Sequence, residues 1–346
     1  SLPALAESRY IADGAPGRDG PSRCHRRETK NATKEGRRDR EFPYETTCRK
    51  GDLHRFLRQN RNDLANFTVG LVYHVGMVKN WRAILADQMT TLNECGLLEI
   101  ADEFVVSYSN GDEDELLDAV ARSTDRNMTS KTKESAGVPW EGPAMNAIRE
   151  YCREQPAPES SVVFYFHNKG VSKWEEDWRD DITNKACTQT YAHSLYWRKY
   201  LEYFLTERPH LCLDQILLQN ASTCGANWHV MPKNHYSGNF WSASCEHVLK
   251  LGPMADTNYF AAEFWLGRVR GRHSSFHSTT KDLYGELILP GEYSSNFSVW
   301  YDERKQASVE AKAGEEMSSS RGRTCHESRQ WTTFGGAIAA VALLVA

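Results

Sequence analysis

Residues 162–166, Val-Val-Phe-Tyr-Phe, form an apolar run that stops abruptly at His167, Asn168, Lys169 and Gly170. A run of this kind fits a strand buried on both faces, which needs helices above and below a parallel sheet. In open α/β sheets the ligand crevice lies outside the carboxyl ends of the strands. A polar, cationic turn at that end is the first candidate for a binding site. It contains no carboxylate to hold a metal.

The flanking sequence repeats the same pattern. Residues 69–75 (Val-Gly-Leu-Val-Tyr-His-Val) and 104–108 (Phe-Val-Val-Ser-Tyr) read as two further strands by length and branching. Between them Trp81, Ile84, Leu85, Met89 and Leu92 fall on one face of a helix that Gly96 is placed to end. Asn110 and Gly111 with the acids that follow read as an exit loop, and residues 122–138 as a longer one. Pro143 starts a helix with Ala144, Ile148, Tyr151 and Cys152 on its inner face, closed by Pro156. Strand, helix, strand, helix, strand predicts an α/β fold with a mostly parallel sheet and helices on both faces.

Beyond the turn come a charged, Trp-rich loop (Trp174 to Asp181), a helix carrying Leu195, Trp197, Leu201, Phe204 and Leu205, and a shorter one after Pro209. Residues 224–230 read as a fourth strand, and 235–241 as a turn leading into another ordered element. Residues 1–65 are rich in Arg, Glu, Asp and Gly with few aliphatics, and are expected to be disordered or loosely packed. The predicted organisation is that region, one domain over 66–290, a linker over 291–333 and an apolar tail over 334–346.

Composition narrows the partners. A net charge of -4 over 346 residues gives no electrostatic reason to expect nucleic acid. Nine cysteines without a CxxC pair argue against a zinc ribbon or a thioredoxin-type redox pair. They leave open disulfides in an oxidising compartment or buried thiols, with Cys152 expected to be simply packed. Sequons at Asn31, Asn66, Asn127, Asn220 and Asn296 lean toward a glycoprotein of the secretory pathway, in the Golgi or ER lumen. The 13 uncharged residues 334–346 fall short of the roughly 20 that cross a bilayer as a helix. They read as a truncated membrane helix, the tail of a lipid-anchor signal or an unrelated apolar end, so membrane attachment there is an expectation.

Six segments together resemble a known group. They are Tyr73-His74-Val75 with Asn80, Trp81 and Gln88; Cys95-Gly96-Leu97; the 166–172 turn; residues 224–228; His235-Tyr236-Ser237-Gly238-Asn239-Phe240-Trp241; and Ala262-Glu263-Phe264-Trp265. The chain resembles, over about residues 68–270, a poorly characterised group of GT-A-like glycosyltransferases with HxKG and HxSGNFWW motifs. Ser242 departs from the second Trp of that doublet. The resemblance implies a GT-A-like Rossmann-type sheet and transfer of a sugar from a nucleotide-diphosphate donor to a carbohydrate or glycoconjugate acceptor.

Such a site must offset the diphosphate charge and the charge that grows on the leaving phosphate. Many GT-A enzymes use a divalent cation held by Asp-x-Asp after a strand, where this chain has His167, Asn168, Lys169 and Gly170. Lys169 as a point cation with His167 as a hydrogen-bond donor needs no metal. The alternative makes His167 a single ligand to a divalent cation helped by distant acids, although hard cations prefer oxygen. In the purely structural reading His167 ends the strand, Lys169 is solvated and Gly170 turns the chain. Asp112, Glu113 and Asp114 spell Asp-x-Asp but belong to a solvated acidic loop.

His235, Ser237, Gly238, Asn239 and Trp241 combine aromatic faces with polar rims, the chemistry that holds a sugar ring, while Phe240 reads as core. Glu263 between Phe264 and Trp265 is the candidate catalytic base, or else a carboxylate at a helix N-terminus. A catalytically inactive carbohydrate-binding or scaffold protein of the same fold is the competing function. No Gly-x-Ser-x-Gly motif or close carboxylate pair points to a hydrolase.

Overall fold

In the computed structural model, residue 48 and residues 50–124, 130–134, 141–172, 191–255, 258 and 260–294 are described. The chain divides into two units, Ser1–Pro290 and Gly291–Ala346, and all that follows concerns the first.

Helix α1 (Lys50–Gln59) buries Leu53 and Phe56, and Cys48 beside it is disulfide-bonded to Cys95. Order therefore begins ahead of the boundary expected at residue 65, because one apolar face and a covalent tie fix this helix. The basic run before it lies outside the described residues. Strand β1 (Thr68–Gly76), helices α2 (Trp81–Glu94) and α3 (Leu97–Ile100), and strand β2 (Glu103–Ser109) follow. Helix α4 (Glu113–Arg122) overturns the expected acidic loop: Asp112 caps it by accepting the Glu115 N–H at 3.1 Å, and the acids of its first turn complement the helix dipole. Strand β3 (Ser130–Glu134) also lies where a loop was expected. Among the described residues it pairs with β2 alone, and its sequence Ser-Lys-Thr-Lys-Glu is the polar, lysine-bearing kind that suits a sheet edge.

Helix α5 (Gly142–Glu154) and strand β4 (Ser161–His167) match the sequence reading. Helices α6 (Tyr191–Leu205) and α7 (Pro209–Leu213) come next. The expected fourth strand is split in two, β5 (Thr223–Gly225) and β6 (Trp228–His229), and β7 (His235–Tyr236) pairs with β6 in a small antiparallel ribbon. Strand β8 (Trp241–Ser244), helix α8 (Cys245–Leu249) and strand β9 (His273–Ser275) complete the unit.

The main sheet has the order β3-β2-β1-β4-β8-β5-β9. β8 runs antiparallel to both its neighbours, and the other pairings are parallel. This is the mostly parallel α/β architecture, with helices on both faces, that the sequence pattern implied. Alternation along β1 assigns the two layers. Val72 joins the core of α5 and α8, whereas the Tyr73 hydroxyl donates to Gln88 of α2 at 2.8 Å. The chain moves outward from β1 to β2 and β3, then returns to β4 on the other side of β1. The switch point falls between the carboxyl ends of β1 and β4.

Cys152 is not a packed thiol. It is joined to Cys245, 93 residues away, which ties α5 to the start of α8. A third disulfide links Cys212 to Cys224. Replacing Cys152 and Cys245 together by alanine is expected to cost about 2–4 kcal/mol, because the bridge closes a long loop in the unfolded chain. Urea unfolding measures this, and a loss below about 1 kcal/mol would show that the core alone holds these helices.

Candidate functional site

The carboxyl ends of β1 and β4 are joined by Asn168. Its side chain accepts the Gly76 N–H and donates to the Gly76 carbonyl, each at 2.9 Å. Both ends of the amide are thus engaged with one peptide unit, so Asn168 builds the switch point. The turn then reverses at Gly170, whose φ of +86° is left-handed; a Cβ there would stand 2.6 Å from Cβ of Ser194 on α6. Gly170 shapes the turn against α6.

His167 lies on the same face of β4 as Tyr165, with the two rings stacked. Its Nε2 is 3.0 Å from the Gly238 carbonyl oxygen and its Nδ1 is 3.7 Å from a carboxylate oxygen of Glu141. Glu141 stands just before α5, at the positive end of that helix dipole. It accepts from the Tyr165 hydroxyl at 2.7 Å and from the Asn239 side-chain amide. Burial pushes the Glu141 carboxyl up, but His167, His74 and these two hydrogen bonds outweigh it and hold the group below its ordinary value. Burial likewise lowers His167, against the pull of Glu141. His74 is brought down to about 4, first by burial, and its ring contacts Ser107 Oγ at 3.0 Å.

Lys169 leaves the turn in the other direction. Its Nζ sits 3.6 Å from the ring centroid of Trp197 on α6, a cation–π contact. Among the described residues no hydrogen-bond acceptor reaches that ammonium group. Burial lowers its pKa, and the Glu263 and Glu141 charges oppose the shift. Gly238 and Asn239 form the facing turn, both left-handed at φ +89° and +57°. The Gly238 N–H donates to Glu263 at 2.9 Å. Glu141 and Glu263 thus bracket this turn, a carboxylate pair that the sequence did not reveal.

The structure therefore brings His167, Lys169, Gly238, Asn239 and Glu263 together, with Glu141, His74 and Trp197 added. The remaining candidates sit elsewhere or are occupied. Trp241 is buried in the core between Tyr165 and Trp265, and its indole N–H donates to Asn239 at 2.8 Å. It braces Asn239 and is no sugar platform. Phe240 is core, as expected. Ser242 is buried in β8 opposite Phe164 and Cys224, so a second tryptophan there would meet the sheet core and not a pocket wall. Trp265 also turns into the core. His235 contacts the Lys233 carbonyl through Nδ1 at 2.7 Å and leans on Phe264 and His229. Ser237 is fixed through its backbone N–H to the Asn227 carbonyl at 3.0 Å.

The residues at the end of β4 do not fit a divalent cation. They offer one imidazole engaged by a carbonyl, one amide consumed by Gly76 and one ammonium group, while hard cations take oxygen ligands. Among the described residues there is no group of three His, Cys, Asp or Glu side chains suited to a metal.

Residues 73–331 match the family described as Domain of unknown function (DUF8361). The chain belongs to that family. No curated protein matches it. Among solved structures this DUF8361 chain is similar to HddC from Yersinia pseudotuberculosis, at 11% identity over 67% of this chain and 99% of that chain with a TM-score of 0.36. It is also similar to M. tuberculosis glucosyl-3-phosphoglycerate synthase, at 11% identity over 74% and 83% of the two chains with a TM-score of 0.35. A further likeness is to mannosyl-3-phosphoglycerate synthase from Rubrobacter xylanophilus, at 12% identity over 75% and 79% with a TM-score of 0.31. TM-scores this low carry nothing about chemistry, which has to rest on the site itself.

Proposed function

We propose that the protein is a glycosyltransferase that takes a sugar from a nucleotide-diphosphate donor, with Lys169 supplying the charge that a metal supplies elsewhere. The observation that carries this reading is the Lys169 ammonium group, held against Trp197 at the carboxyl end of β4 with no acceptor among the described residues. Among the described residues no carboxylate pairs with that cation directly, Glu263 and Glu141 acting on it only from a distance, and its low-dielectric setting strengthens what a bound anion would gain. His167 adds a hydrogen-bond donor to the diphosphate, and Glu263 removes the acceptor hydroxyl proton. Sugar and acceptor are not distinguished by these groups.

Calorimetric titration with UDP and GDP, with Mg²⁺ or with chelator, tests the donor site. One of the two is expected to bind equally well in both conditions, and Lys169→Met to weaken it by about 10–100-fold, the worth of a charge-assisted contact in a partly buried site. Binding that needs metal, or that survives Lys169→Met within twofold, sinks the idea.

One observation favours the inactive carbohydrate-binding reading: Asn239 and Trp241 spend their polar atoms on each other and on Glu141. Glycan binding without turnover of any nucleotide sugar would select it. A secretory-pathway location is part of the proposal, supported by three disulfides among the described residues and by exposed sequon residues Asn66 and Asn220. No helix among the described residues is long and apolar enough to cross a membrane. The apolar stretch 334–346 lies outside them, as do Asn31, Asn127, Asn296 and the Trp-rich loop, and membrane attachment through that stretch stays a proposal.

A further inference from the structure

Glu141 has no role in the donor site as proposed, yet among the described residues no other carboxylate there is held by as many groups. We infer that Glu141 is a further working residue of this site: it is the counter-charge against which His167 takes up a proton on Nδ1 when a nucleoside diphosphate enters, so that donor binding and proton uptake are one event. The inference rests on the donor reading above.

The geometry fixes the tautomer first. A backbone carbonyl can only accept, so His167 Nε2, 3.0 Å from the Gly238 oxygen, carries the hydrogen. In the neutral ring Nδ1 then presents its lone pair to a Glu141 carboxylate oxygen 3.7 Å away. Two acceptors face each other, an arrangement that a proton on Nδ1 turns into an ion pair. Glu141 cannot swing away, because the Tyr165 hydroxyl and the Asn239 amide both hold its other oxygen and the start of α5 lies beneath it.

Other charges set the balance in the empty site. Lys169 on the turn opposes a second positive charge, Glu263 opposite favours it, and His74 on β1, neutral at ordinary pH, adds little. Tyr165 on β4 stays a neutral donor, since burial raises its hydroxyl pKa well above the ordinary value. A diphosphate beside Lys169 cancels the opposing cation and adds negative charge of its own. The proton that His167 gains comes from solvent, and no covalent bond changes.

The test uses the full chain, with the His167 ring followed by NMR and UDP and GDP as probes. In the ligand-free protein, Glu141→Gln is expected to move the His167 titration down by about one pH unit or more, the usual effect of losing an adjacent opposite charge. Glu141→Asp should retain part of it. Calorimetry of the binding nucleotide in buffers of different ionisation enthalpy should show about one proton taken up by the wild type above the His167 titration point and almost none by Glu141→Gln, with affinity about tenfold weaker. An unchanged His167 titration in Glu141→Gln overturns the pairing. If the titration moves but neither nucleotide binds, the pair is real and the donor reading, with the coupling built on it, falls.

Discussion

Replacing Glu202 by leucine is expected to destabilise the protein by about 3–5 kcal/mol, the cost of removing one partner from a buried ion cluster. Glu202 lies on α6, a helix whose residues 192–205 are all buried, and it faces two cations there. Its carboxylate is 3.3 Å from Nε of Arg198 and 3.0 Å from Nζ of Lys199, and it accepts the Gln88 amide at 2.8 Å. Asp87 of α2 closes the cluster with both cations at 2.9 Å. Two acids and two bases balance, so losing Glu202 leaves a buried excess of positive charge. A double replacement, Arg198→Met with Glu202→Leu, removes one charge of each sign and should recover much of the loss. Urea unfolding midpoints distinguish these cases, and a Glu202→Leu cost below about 1 kcal/mol would mean that water reaches the cluster.

The same cluster gives stability a pH dependence with a definite sign. Burial raises the Asp87 carboxyl, but Arg198 and Lys199 outweigh it and hold the group below its ordinary value, so its contribution is present at neutral pH and is lost as acid protonates it. Burial lowers Lys199, yet Glu202 and Asp87 raise it overall, so its contribution is present below the ordinary lysine range and is lost in strong alkali. The cluster also reaches the site. Gln88 donates to the His167 carbonyl at 3.2 Å while bound to Glu202, which places the turn of β4 on top of a charge-balanced foundation.

The parts of this fold that were legible are those where one physical demand dominates. Strands β1, β2 and β4 are buried on both faces, so nearly every position is apolar and the run announces itself. The turn at His167 to Gly170 was legible for the converse reason, since polar groups directly after such a run need an explanation. β3 was hidden because an edge strand has no such demand, and its lysines look like a loop. α4 was hidden because the acids that cap and charge its first turn look like a solvated run, although Leu116, Ala119 and Val120 carry the helical spacing. Glu141 was missed because a single acid before Gly142 and Pro143 has no pattern. Its meaning comes from Tyr165 and His167 on β4 and from Asn239 in the turn after β7, two other places in the chain. Trp241 erred the other way. An aromatic beside Asn239 fits a sugar pocket by composition, but alternation along β8 turns it into the core with Ala243.

In the sugar transfer proposed above, Glu263→Gln is expected to lower the turnover number by about 10²–10⁴-fold, the usual worth of a positioned general base. Glu263 Oε1 accepts the Gly238 N–H at 2.9 Å, and among the described residues no donor is bound at its second oxygen, which leaves that oxygen for an acceptor hydroxyl. The amide of glutamine still accepts the Gly238 N–H, so the turn that meets His167 keeps its shape while the proton acceptor is gone. Donor affinity should therefore stay within about threefold, the unfolding midpoint should not move, and the loss should appear in kcat at saturating donor and acceptor. The charge term works against a trivial explanation: Glu263 raises Lys169, so losing it lowers the Lys169 pKa and eases a repulsion on the diphosphate at once, two small effects of opposite sign on binding. A kcat within about tenfold of the wild type would remove Glu263 from the chemistry and leave it as the brace of Gly238, and Glu141 would then be the carboxylate to test as the base.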